Sequence, residues 1–156
     1  MWRASLVLAL LIAMMSVASA KTDFRPMSYF VGNWLCKYMV NPDSSLVGKT
    51  FTFSGTMDPA GYWEVLNLEN GTLNVTRDAA TKQWVFVYTG YGGDYGVLMT
   101  SGWHGNTLVL KDVVDSGGAP LGSTTFTRSS DRQYSATYTV STAHGTEVYR
   151  DVCSRM

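Results

Sequence analysis

The residues of this chain equipped for chemistry are few. Its 156 residues hold two histidines, His104 and His144, and two cysteines, Cys36 and Cys153. A nucleophilic triad needs a His held between a Ser or Cys and a carboxylate. His104 follows Trp103 just ahead of a strand-like run and would meet an acid, Asp94 or Asp112, only through the fold. His144 stands in front of Gly145, a turn signal. No catalytic residue is therefore assigned, and an enzyme using His104 or His144 is the least supported reading. No metal site is expected either, since neither histidine sits at ligand spacing from a cysteine.

What the cysteines do depends on the compartment. Arg3 supplies a positive start, Leu6 to Met15 is a run of ten apolar residues, and Ala18-Ser19-Ala20 is a small-residue cleavage site. This is the pattern of a secretory leader, residues 1–20, cut after Ala20 and leaving 21–156 as a single domain. Ten apolar residues fall short of the roughly 20 that span a bilayer, so no transmembrane segment is expected after cleavage. Export to the periplasm or the medium permits a disulfide between Cys36 and Cys153. Two separate buried thiols are the alternative.

Composition narrows the partners. The chain is formally neutral, with 15% charged, 46% hydrophobic and 13% aromatic residues. That is too apolar for a disordered chain. Without Arg3 the remainder carries 11 basic against 12 acidic residues. A nucleic-acid partner is excluded on that balance, because stacking on bases also needs a positive groove. Nothing in the composition speaks to the oligomeric state.

The elements that must position these residues are strands. No stretch sustains a helical apolar period, whereas short β-rich runs alternate with turn formers such as Asn41-Pro42-Asp43, Asp58-Pro59-Ala60-Gly61, Asn70-Gly71 and Ser116-Gly117-Gly118. Ten strands are expected: 33–40, 49–57, 61–69, 72–77, 84–89, 97–100, 107–114, 123–128, 134–141 and 146–153. One face is apolar, with Trp34, Cys36 and Tyr38 in the first strand and Trp84, Phe86 and Tyr88 in the fifth. An antiparallel meander of that length leaves two edges, which closure into a barrel removes. A Cys36–Cys153 bond would then join neighbours, the first and last strands. A two-sheet sandwich is the competing all-β architecture.

The segment Phe30-Val31-Gly32-Asn33-Trp34-Leu35-Cys36 resembles the Gly-x-Trp opening of lipocalin-like, or calycin, barrels. It is more particularly similar to a group of small exported bacterial domains of unknown function, with Phe-x-Gly-x-Trp-x-Cys at the start and a Cys followed closely by Arg at the end. Here the end reads Cys153-Ser154-Arg155, and Gly102-Trp103-His104-Gly105-Asn106-Thr107-Leu108 matches that group's middle motif. The resemblance implies a calycin-like barrel of about ten strands and, as calycin ligands vary widely, no particular activity. Haem held by a His near the C-terminal strands occurs in some related barrels, which makes His144 the residue to test for that cofactor. The acceptor patterns Asn70-Gly71-Thr72 and Asn74-Val75-Thr76 carry no meaning in the bacterial source so implied.

Barrels of this kind bind small apolar or aromatic molecules when side chains leave the interior open. The inward candidates are Trp34, Tyr38, Phe53, Trp63, Trp84, Phe86, Tyr88 and Tyr138. Together with Phe51, Leu108, Leu110, Phe126 and Tyr134 these could instead fill the barrel. The glycine-rich stretch Thr89 to Gly96 places Tyr91 and Tyr95 where a lid over the barrel mouth would carry them. A wide hairpin loop is the plainer reading. A filled barrel acting as an envelope interaction module, with its contact surface around Tyr91, Tyr95 and Trp103, is the alternative function.

Overall fold

The computed structural model describes residues 23–61 and 63–156, so the expected leader lies outside the described residues. A short 3-10 helix, Ser28–Phe30, precedes eleven strands. They are β1 (Gly32–Val40), β2 (Thr50–Met57), β3 (Glu64–Leu68), β4 (Gly71–Arg77), β5 (Trp84–Gly90), β6 (Tyr95–Thr100), β7 (Trp103–His104), β8 (Thr107–Asp115), β9 (Gly122–Ser130), β10 (Gln133–Thr142) and β11 (Gly145–Arg155).

Every sequential pair from β1 to β6 and from β7 to β11 is antiparallel, β11 returns to β1, and β6 pairs with β8. Ten strands thus close into a meander barrel. The two-residue β7 stays outside the ring, on the stretch of β8 that β6 does not reach, with Trp103 opposite Leu108. Closure rules out the sandwich. All ten expected strands are present, because period-two alternation and turn chemistry both survive in the sequence. The one large difference is β3, which starts at Glu64 instead of Gly61. The turn that begins at Asp58 runs on through Gly61, whose φ of +71° no strand interior adopts.

A meander alternates between two barrel ends. One end is plugged. Residues 24–30 fold over it, burying Phe24, Met27, Tyr29 and Phe30. Gly32 then turns the chain into β1 at φ +116°, a conformation that favours glycine. The Trp34 indole N–H donates to the Phe30 carbonyl at 3.0 Å, and the Arg155 guanidinium donates to the Tyr29 carbonyl at 2.6 Å. The same guanidinium lies 4.9 Å from the Trp34 ring. First and last strands therefore clamp the plug together. Gly55 completes the seat, because a Cβ there would collide with the Phe30 carbonyl.

Cys36 and Cys153 are directly opposed across the β1–β11 seam, bonded, with Cα atoms 4.0 Å apart and 117 positions apart in sequence. The bridge is buried and joins the two ends of the meander at mid-height.

Candidate functional site

The two halves of the interior are packed differently. Toward the plugged end aromatic rings meet edge to face, with Trp34 and Tyr134 centroids at 5.0 Å, Phe30 and Phe126 at 5.3 Å, and Phe24 and Trp84 at 5.5 Å. Arg128 is sandwiched there between Trp103 and Tyr29, 3.4 and 4.0 Å from their ring centres. Above this layer the side chains do not meet, and a cavity of about 220 Å3 remains. Its floor is Phe30, Tyr134 and the Cys36–Cys153 bridge, and its walls include Phe51, Phe53, Leu66, Leu73, Phe86 and Phe126. A dry engineered cavity of about 150 Å3 takes up benzene, so this space is large enough for a small aromatic guest.

Besides the phenol of Tyr134, two polar side chains line the cavity, Thr124 and Asp151. Asp151 shares inward parity with Cys153 and Tyr149 on β11, facing Ala136 on β10 and Tyr38 on β1. Its Oδ1 is buried and has no hydrogen-bond partner. Burial pushes its carboxyl up to about 6. Asp151 has the inward parity of β11, but charge in a strand ordinarily signals the outer face, and it was not among the inward candidates.

Toward the other end stand tyrosines. The Tyr38 ring lies 4.6 Å from Phe51, and burial, then the Asp151 charge, raises its hydroxyl. The Tyr138 hydroxyl donates to Asp112 at 3.0 Å, an acid that also accepts the Gly122 amide at 2.9 Å. Tyr88 is partly buried and reaches the Asn70 carbonyl at 3.4 Å.

Of the inward candidates, Phe53 and Phe86 line the cavity; Trp34 and Trp84 are buried in the plugged half. Trp63 corrects the inward expectation. It is 39% exposed and borders an outer groove with Val65, Asn74 and Val87, because β3 sends Glu64, Leu66 and Leu68 inward instead. Glu64 was not anticipated as an interior residue. It is fully buried, neither carboxylate oxygen has a partner, and burial pushes its pKa up to about 8.

Tyr91 and Tyr95 are 74% and 51% exposed in the β5–β6 hairpin and line none of the cavity. Trp103 lies at the plugged end, so the three do not share one contact surface. Nor does His104 meet Asp94 or Asp112: β7 holds it at the plugged end, and its Nε2 lies 2.9 Å from Ser101 Oγ. That Ser–His contact has no carboxylate beyond it among the described residues. His144 is exposed in the β10–β11 turn and outside the cavity, so it does not fit the role of an interior haem ligand. Among the described residues no three His, Cys, Asp or Glu side chains cluster as metal ligands, and no helix is long and apolar enough to cross a membrane.

No protein-family model matches this chain, and no curated protein matches it. The site is accordingly read from its own geometry.

Proposed function

We propose that this is an exported, lipocalin-like barrel that binds a small apolar or aromatic molecule in its interior without transforming it. The observation that carries the reading is the cavity of about 220 Å3 walled by phenylalanines and leucines above a fully packed aromatic floor. A barrel serving only as a scaffold has no use for such a space, since interiors ordinarily pack as densely as organic crystals. Export is supported by the leader pattern of residues 1–20 and by the buried disulfide. The Gly32-Asn33-Trp34 opening and the closed meander barrel support the likeness to calycin barrels.

The interaction-module reading loses its surface, as Trp103 and the two tyrosines sit at opposite ends. Native mass spectrometry of protein recovered from its own host tests the proposal. A bound small molecule, released on unfolding and apolar or aromatic in structure, is the expected result. Only unliganded protein, together with no uptake of 2-phenylethanol by the purified barrel, would refute it.

A further inference from the structure

The cavity is apolar on nearly every side and yet one acid lines it, Asp151, whose buried Oδ1 has no partner; Glu64, the other unpaired interior acid, does not line it. No Lys, Arg or His lines the cavity. The charged neighbours on the adjoining strands are turned away: Lys37 and Arg150 have the outward parity of their strands and are exposed. What faces Asp151 from β1 and β10 is Tyr38, Ala136 and, one level lower, Tyr134. Ala136, paired with Asp151 on one side and Phe126 on the other, lines the cavity beside the carboxylate with no more than a methyl group.

From this arrangement we infer that the cavity is built for a small aromatic or aliphatic amine, its protonated nitrogen set against Asp151 and its carbon body among the phenylalanines. The inference rests on the proposed binding function and adds the charge of the ligand. Two independent features favour a cation there. A carboxylate oxygen cut off from water, as Asp151 Oδ1 is, regains most from an ionised donor, since charge-assisted hydrogen bonds are about twice as strong as neutral ones. The walls are also aromatic: Phe51, Phe53, Phe126 and Tyr134 line the space, and aromatic rings attract cations. Thr124, two strands from Asp151, adds another oxygen to the lining. An anionic ligand is excluded by the same acid. A ligand with no donor would leave Asp151 Oδ1 buried and unpaired.

Titration calorimetry of the intact, oxidised protein with three isosteric probes tests this: 2-phenylethylamine, 2-phenylethanol and phenylacetate. At pH 7.5 the amine is expected to bind at least about tenfold more tightly than the alcohol, the worth of one hydrogen bond between charged groups, and phenylacetate not measurably. Asp151→Asn should bring the amine down to the alcohol's affinity. The wild-type protein gives a second measurement that needs no variant. The amine's advantage should fade between pH 7.5 and pH 5, as Asp151 takes up a proton while the amine stays charged.

Equal binding of amine and alcohol at pH 7.5 would overturn the charge assignment and leave the apolar cavity standing. Binding of neither would overturn both. An amine advantage that grows as the pH falls would mean that the carboxyl acts protonated, and would also overturn the inference.

Discussion

Glu64 and Val75 are cross-strand partners on β3 and β4, and both side chains are completely buried. An acid so placed, with no partner for either oxygen, is kept neutral by the protein. Its folded pKa is raised from the ordinary 4.5 to about 8, so the native state holds a proton that the unfolded chain has released. The stability this gives is complete below pH 4.5 and is lost as the pH rises toward 8. Within that window the loss is about 1.4 kcal/mol per pH unit for one proton. Asp151, raised from 3.8 to about 6, acts in the same direction over its own window. Urea denaturation from pH 4 to pH 9 should therefore show falling stability, and Glu64→Met should remove the part of the slope above pH 6. A slope unchanged in Glu64→Met would show that this carboxyl is not the titrating group.

The bridge between Cys36 and Cys153 ties the first strand to the last across the seam on which closure depends. Joining residues so distant in sequence restricts the unfolded chain strongly. Cys36→Ala with Cys153→Ala should lower stability by about 2 to 5 kcal/mol, while far-ultraviolet circular dichroism of the folded fraction keeps its β signature. Loss of that signature under conditions where the protein remains folded would mean that the bond dictates the strand order instead of securing it.

The plug depends on a second tie between the same strands. Arg155 holds the Tyr29 carbonyl and lies over Trp34, whose own indole holds the Phe30 carbonyl. Arg155→Ala should cost about 1 to 3 kcal/mol through a charged hydrogen bond and a ring contact. Arg155→Lys should recover little, because an ammonium does not stack as the planar guanidinium does. Gly55→Ala should be at least as damaging, since its methyl group would displace the Phe30 backbone from its seat. Thermal unfolding of the three variants ranks them, and a wild-type midpoint for Gly55→Ala would show that the plug yields freely.

How much of this was written in the sequence differs by element. The strands were legible because Trp34, Cys36 and Tyr38, or Trp84, Phe86 and Tyr88, alternate cleanly with residues that tolerate water. Turn formers marked where each strand ends. The seam was legible through the two cysteines. The plug was not, because residues 24–30 make one short helical turn, too brief for any period to show. Trp63 was misplaced by three residues of turn. With β3 starting at Glu64, apolar Val65 and Leu66 fall on opposite faces, and side-chain type alone cannot choose between them. The two interior acids were hidden for one common reason. Glu64 and Asp151 have the parity of buried neighbours, but an ionisable residue is ordinarily assigned to solvent, and only the closed ring shows that Glu64 is fully buried and that Asp151 turns into the cavity. The cavity was undecidable from composition, since the same list of aromatics fills a barrel or leaves a gap according to where along each strand they stand.

That gap can be closed by one substitution. Ala136 is the smallest side chain lining the cavity and lies between Asp151 and Phe126 across two strand pairs. Ala136→Leu places three more carbons in a space of about 220 Å3 without pushing on a packed neighbour. Overpacking of a filled core costs about 1 to 3 kcal/mol, whereas filling an existing void adds contacts. Stability should therefore change by less than about 1 kcal/mol in either direction, while 2-phenylethanol binding falls at least tenfold, a loss of about 1.4 kcal/mol of binding energy. Melting curves and calorimetry on the same preparation read both. A variant that loses stability by several kcal/mol would mean the interior is already full, and one that binds as the wild type does would place the ligand elsewhere, with the outer groove beside Trp63 and Val65 the next surface to probe.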